Sequence, residues 1–166
     1  MPTDQEASTE RNRSADILGL VVFGLAVAAA AVAGGVAAGG ASAEYENLEQ
    51  PFFAPPDWLF SPVWTALYVT IAISGWLVWR RIGLGWPLIP FAVQLVLNAV
   101  WTPLFFGLGE YGLAAIEIIA LWIAIGVTVW SFWRVHRVAA LLLLPYWAWV
   151  TYATALNIAI WWLNSR

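Results

Sequence analysis

The chain has no cysteine, no lysine and one histidine, and charged residues fill only 10% of its 166 positions. Without cysteine there are no disulfides and no thiolate chemistry, and the redox compartment leaves no mark. With His136 alone, a histidine-built metal centre is excluded in practice. A net charge of −3, with all seven basic residues arginine, provides no surface for nucleic acid. Soluble domains carry about 25% charged residues, so the scarcity of charge itself argues against a soluble fold.

In place of charge the sequence has 62% hydrophobic residues and thirteen tryptophans. These read as an all-α integral membrane protein, a five-transmembrane-helix bundle. Residues 1–15 are polar and are expected to form a disordered tail. Residues 16–166 form a single membrane domain, with helices expected at about 17–43, 61–79, 86–107, 111–133 and 138–163. Ser61-Pro62 is a plausible cap and first-turn pair for the second helix. Pro145 is placed to bend the fifth. Ala31, Gly35 and Gly39 give the first helix a small-residue stripe that suits close packing or dimerisation. Ala92 and Ala99 on the third helix offer a second close-packing surface.

The first loop, Glu44 to Trp58, is acidic, stiffened by Pro51, Pro55 and Pro56, and aromatic through Tyr45, Phe52, Phe53 and Trp58. A merely solvated connector has no use for those rings. The loop is therefore expected to lie over something apolar, as a lid or an interfacial anchor. Six arginines (Arg11, Arg13, Arg80, Arg81, Arg134, Arg137) fall on the amino-terminal side of the bundle, and only Arg166 falls on the other. The positive-inside rule then places the amino terminus in the cytoplasm and the first loop and carboxy terminus outside.

Interfacial belts account for Trp79, Trp86, Trp133, Trp161 and Trp162, which lie near segment ends. They account less well for Trp64, Trp101 and Trp149. Gln94, Asn98, Trp101 and Phe105 step by four, three and four residues, so they share one face of the third helix. Trp64 and Tyr68 share a face of the second helix. Tyr146, Trp149, Ala153 and Asn157 form a comparable stripe on the fifth. An amide in hydrocarbon is costly without a partner, so these faces point at protein or at something protein holds. Asn98 and Asn157 bonding helix to helix is the plain alternative for the amides. It leaves the aromatic enrichment unexplained.

Indole and phenol donors, amides and flat walls suit a large, flat, mostly apolar ligand with a few polar edges. Ion conduction would call for rings of carbonyls or charges. A proton-coupled carrier would usually show several buried ionisable groups. Hydrolytic catalysis would call for a nucleophile paired with a base. The one acidic residue inside a span is Glu117, a possible polar site; the alternative is that it reaches water or a neighbouring helix. His136, between Arg134 and Arg137, reads as a solvated interfacial residue.

Three stretches carry a family resemblance. They are Pro55-Pro56-Asp57-Trp58 running on to Ser61-Pro62-Val63-Trp64-Thr65-Ala66-Leu67-Tyr68, then Gln94 through Gly107, then Leu144-Pro145-Tyr146-Trp147-Ala148-Trp149 with Ala153 and Leu156-Asn157. Over residues 17–163 the chain resembles the TspO/MBR family, the translocator, peripheral benzodiazepine receptor or tryptophan-rich sensory proteins. The resemblance implies a five-helix bundle, usually a homodimer in the cell membrane, with a pocket under the first loop. It implies porphyrin-like ligands (protoporphyrin IX or haem), sterols or benzodiazepine-type drugs, with no required cofactor. Carried over, the pocket would include Trp64, Tyr68, Asn98, Trp101, Trp149 and Ala153, and Glu117 falls where other members can also be acidic. One departure stands out: Leu156-Asn157 is followed by Ile158 rather than Tyr, and no arginine comes before Arg166, so the sterol pattern is missing.

The expected function is a receptor or sensor for tetrapyrroles or other flat hydrophobic ligands. A light-dependent porphyrin photo-oxidase using Trp64, Trp101 and Trp149 is one alternative. A tetrapyrrole or sterol transporter is another, although no internal repeat or pair of broken spans supports it. Docking of the first helix to another membrane protein is a third. Beyond the ligand, the expected partners are membrane lipid and a second copy of the chain.

Overall fold

The structure is a computed structural model that describes the backbone of residues 4–37 and 41–165, with side chains placed for 14–33 and 44–165. Every regular element among the described residues is helical. The helices are α1 (Asp4–Ala37), α2 (Ala41–Asn47), α3 (Phe60–Ile82), α4 (Leu88–Thr102), α5 (Tyr111–Val135), α6 (Arg137–Leu142) and α7 (Leu144–Asn164). A 3₁₀ turn at Asp57–Leu59 precedes α3, and a π-helical turn at Pro103–Gly107 extends α4. Five segments are long and apolar enough to cross a membrane: 14–33, 57–82, 88–107, 111–135 and 137–164. The chain is thus an all-α integral membrane protein.

The helix ends differ from the sequence expectation in instructive ways. The backbone is helical from Asp4, where a disordered tail to residue 15 was expected. Once a long span is formed, adding residues to its end avoids the cost of nucleation, and Glu6, Ala7, Glu10, Arg11 and Arg13 are good helix formers. α1 is described to Ala37 and α2 from Ala41, and α2 takes up Glu44–Asn47 from the expected loop. Gly39 of the small-residue stripe lies outside the described residues. Ser61 does not cap α3: its N-cap is Leu59, with no side-chain bond, because the 3₁₀ turn feeds straight into the helix. Asp57 Oδ1 accepts from the Trp58 amide instead, at 2.7 Å. The fifth span is interrupted at Leu143, where Pro145 has no N–H to give to Leu141 and α7 restarts with proline in its first turn. His136 is half-buried at the end of α5 and caps α6, its Nδ1 accepting the Ala139 amide at 3.3 Å.

Around the bundle α1 packs on α3 and α4, α4 on α5, α5 on α6 and α7, and α6 closes the ring against α3. Small residues set the closest approaches. A Cβ at Gly75 would lie 2.6 Å from Phe91 and 2.7 Å from Phe23. Phe91 is itself stacked on Phe132, centroids 5.7 Å apart, so it has nowhere to retreat. Ser74 beside it donates to the Ala139 carbonyl at 2.7 Å and pins α3 to α6. Trp79, expected in an interfacial belt, instead packs against Phe23 and Gly19 of α1.

At the arginine-rich end, Asp16 ties α1 to α3: its carboxylate meets Arg80 at 3.3 Å and its carbonyl accepts from Trp76 Nε1 at 2.9 Å. Arg80 lies over Trp76, Arg134 over Trp130 and Arg137 over Trp133. These cations hold their charge at the membrane edge while their stems cover aromatic surface.

Replacing Gly75 with valine is expected to lower stability in detergent by about 1–3 kcal/mol through overpacking. Gly24→Ala, where an added Cβ meets nothing within 4 Å, should leave the thermal midpoint nearly unchanged, and thermal unfolding of the two variants side by side checks the contrast.

Candidate functional site

The three polar-aromatic stripes meet inside the bundle. Tyr68 of α3 donates to Asn98 Oδ1 of α4 at 3.1 Å, and Asn98 Nδ2 donates to the Tyr146 hydroxyl of α7 at 3.3 Å. Trp64 stacks on Tyr68, centroids 5.3 Å apart, and sets its edge against Tyr146 at 6.1 Å. One layer nearer the first loop, Trp101 Nε1 donates to Asn157 Oδ1 at 3.1 Å, and Asn157 Nδ2 donates to the Tyr111 carbonyl at 3.0 Å. Trp101 also stacks on Phe105 at 5.1 Å. Each asparagine therefore bonds to aromatic side chains or backbone on other helices. Both asparagines thus bond the third span to the fifth, the plain alternative for the amides, Asn98 through Tyr146 and Asn157 through Trp101.

The π turn explains why Trp101 and Phe105 sit together at the end of α4. Pro103 cannot donate, and the bonds run from Leu108 to the Pro103 carbonyl and from Glu110 to that of Leu104. The widened turn keeps Phe105 pointing inward, buried at 3% exposure, against Tyr111. π turns of this kind are frequent at functional sites.

Above this layer lies the loop. Tyr45, Phe60, Trp101, Phe105, Phe106, Ala153, Leu156 and Asn157 enclose a cavity of about 10 Å³. The loop is held down by long-range bonds. Tyr152 donates to the Phe53 carbonyl at 2.8 Å, and Tyr111 donates to Glu44 Oε1 at 3.4 Å. Asn164 accepts from the Glu49 amide and donates to its carbonyl, both at 3.0 Å. Tyr45 is buried and donates to Pro55 at 3.1 Å. The loop therefore lies over the apolar end of the bundle, as its rings led us to expect. Phe52 and Trp58 stay outside, with Trp58 66% exposed. Trp58 is thus a rim residue and not part of the pocket wall, because the 3₁₀ turn aims its indole away.

Several side chains have polar capacity to spare. Gln94 is fully buried on the Asn98 face, yet neither amide atom is hydrogen-bonded among the described residues. The same holds for Trp149 Nε1 and for both oxygens of Glu117. Trp149 stands against Phe60 at 6.0 Å and Tyr152 at 5.5 Å, one turn from Ala153 in the cavity wall. Sequence reasoning missed Tyr111, Phe60 and Tyr45 as members of this site. Tyr111 contributes a backbone carbonyl, which no side-chain pattern announces. Phe60 and Tyr45 reach the site only through the path of the loop. Among the described residues no group of histidine and carboxylate side chains could hold a metal.

Burial pushes the Tyr45 hydroxyl up to about 12, with the charges of Tyr152 and Asp57 adding to the effect. The shift is upward, so the closed loop is favoured below the ordinary tyrosine value near 10 and loses that preference as pH rises toward 12. Tyrosinate absorbance should therefore show late-ionising tyrosine, and Tyr45→Phe should reduce that late amplitude by one residue's share. A double-mutant cycle of Trp101→Phe and Asn157→Leu, read by unfolding in detergent, should give a coupling of about 0.6–1.7 kcal/mol, the range of interhelical bonds in membranes.

Comparison with known proteins agrees with this geometry. The TspO/MBR family model matches residues 21–163. The chain is 43% identical over 123 residues to the tryptophan-rich protein TspO of Archaeoglobus fulgidus, covering 73% of this chain and 80% of that one. It is 36% identical over 113 residues to the tryptophan-rich sensory protein of Cereibacter sphaeroides, covering 68% and 72%. It is 36% identical over 123 residues to the human translocator protein, covering 70% and 72%. With its match running through every span and through the loop that covers the aromatic layers, this chain belongs to the TspO/MBR family.

Proposed function

We propose that the protein is a membrane receptor or sensor that binds a porphyrin-like tetrapyrrole, or a ligand of similar shape, between the first loop and the two aromatic layers. The observation that carries this reading is the convergence of Trp64, Tyr68, Asn98, Trp101, Tyr146 and Asn157 beneath a loop fastened from α5 and α7. Flat rings provide stacking surface, and the asparagines and indoles provide directional bonds at the ligand's edge. Relatives named as sensory and translocator proteins support a sensing or receptor role.

Pockets for drug-sized ligands measure about 300–1,000 Å³, far more than the cavity of about 10 Å³ under the loop. Binding on this reading selects an opened form in which the bonds of Tyr152, Tyr111 and Asn164 to the loop are released. No cofactor is required. We place the chain in the cell membrane as a homodimer, amino terminus in the cytoplasm. The loop then faces the extracytoplasmic side, so ligand enters from there or from the outer leaflet.

Titration of the purified protein with protoporphyrin IX in the dark should quench tryptophan emission saturably at micromolar pigment. Trp101→Phe with Trp149→Phe should weaken binding by about tenfold while the helical signal is kept, each lost indole contributing on the order of 1 kcal/mol. Linear quenching that never saturates would mean that the pigment only partitions into micelles, and the proposal would fall. Illumination of the saturated complex separates the roles: protein-dependent bleaching identifies a photo-oxidase, and bleaching equal to that in empty detergent leaves a receptor.

A further inference from the structure

Glu117 is the carboxylate that the proposed ligand chemistry leaves unused. It lies inside the fourth span, one and a half turns beyond Tyr111. Both of its oxygens are shielded from solvent, and neither accepts a hydrogen bond among the described residues. Its position on α5 shows where it points. Trp122 marks the α7 side of that helix, because it packs on Trp147 at 5.2 Å and donates to Thr151 at 2.8 Å. Ala114, Ile118, Leu121 and Ile125 mark the core face. Glu117 is about 140° around the helix from Trp122, on the flank turned toward α4, which presents Asn98 and Trp101. With both oxygens shielded, the carboxyl group lies on the bundle side of α5 and not on the lipid face.

A carboxylate stripped of water is stable only beside a cation or good donors. Among the described residues no basic side chain provides one: Arg80, Arg81, Arg134 and Arg137 all sit at the opposite end of the bundle from the loop, engaged with Asp16 or with tryptophan rings, or at the end of α3. The donors of the central layer, Tyr68 and Asn98, are already committed to each other and to Tyr146. Without a partner such a group is accommodated by protonation, and a cation arriving with a ligand would let it ionise in place.

We propose that Glu117 is the counter-ion for a protonated amine on a flat aromatic ligand, so that the site selects cationic over neutral molecules of the same shape. The inference rests on the ligand pocket proposed above. Trp64, Tyr68 and Tyr146 supply ring faces in the central aromatic layer, and an ammonium group is attracted to such faces as well.

The test uses two fluorescent probes of nearly equal size, 1-pyrenemethylamine, which is cationic at neutral pH, and 1-pyrenemethanol, which is neutral. Binding to the full chain in zwitterionic nanodiscs is read by energy transfer from tryptophan. The wild type should bind the amine roughly tenfold or more tightly than the alcohol, a buried ion pair being the discriminating contact. Glu117→Gln keeps the shape and removes the charge; it should abolish that preference and leave the alcohol's affinity unchanged. Glu117→Asp should keep part of the preference. Equal affinity of both probes for the wild type, or an equal loss of both in Glu117→Gln, overturns the counter-ion while leaving the pocket in place. Failure of either probe to bind saturably overturns the pocket reading and the counter-ion with it.

Discussion

The constraint on which this structure depends is the cost of a polar group in hydrocarbon. Two asparagines in the membrane-spanning segments are each placed so that both ends of the amide are used. Asn98 joins α3, α4 and α7 through two tyrosine hydroxyls. Asn157 joins α4, α5 and α7 through an indole and a backbone carbonyl. Satisfying these amides fixes the rotation of four helices about their axes, and the aromatic side chains follow. The layers of rings are thus a consequence of amide chemistry as much as of apolar packing.

The same constraint divides the polar side chains into two groups. Those with full hydrogen-bond partners hold the bundle: Ser74 to Ala139, Asn98, Asn157, and Trp76 to Asp16. Of those without partners, Gln94 and Trp149 lie on the stripes that converge below the loop and Glu117 lies on α5, while Trp147, packed on Trp122, lies away from them. A protein that needed these positions only for packing would do better with leucine or phenylalanine there.

The loop gives the site its second property. Its aromatic residues divide between those that close the end of the bundle, Tyr45 and Phe53, and those left outside, Phe52 and Trp58. Its fastenings come from Tyr111 at the start of α5 and from Tyr152 and Asn164 of α7, and each is a single bond or a pair. Bonds of that kind can be exchanged for water or ligand without disturbing the transmembrane packing, so the loop is separable from the bundle in energy while continuous with it in the chain.

The sequence by itself determined the membrane class, the five spans and the inward stripes. These rest on apolar run length and on helical periodicity, both of which are local and repeat along the chain. Its family resemblance was legible too, because motifs such as Gln94 to Gly107 are contiguous. Tertiary structure alone decided the rest. The break at Leu143, the helical start at Asp4 and the uncapped entry into α3 turn on how neighbouring turns share a few hydrogen bonds. That Asn157 meets a backbone carbonyl, that Trp79 packs on α1, and that Trp58 points outward depend on distances between segments far apart in the chain. Periodicity gives the direction a side chain leaves its helix; only the packed bundle determines what it meets there.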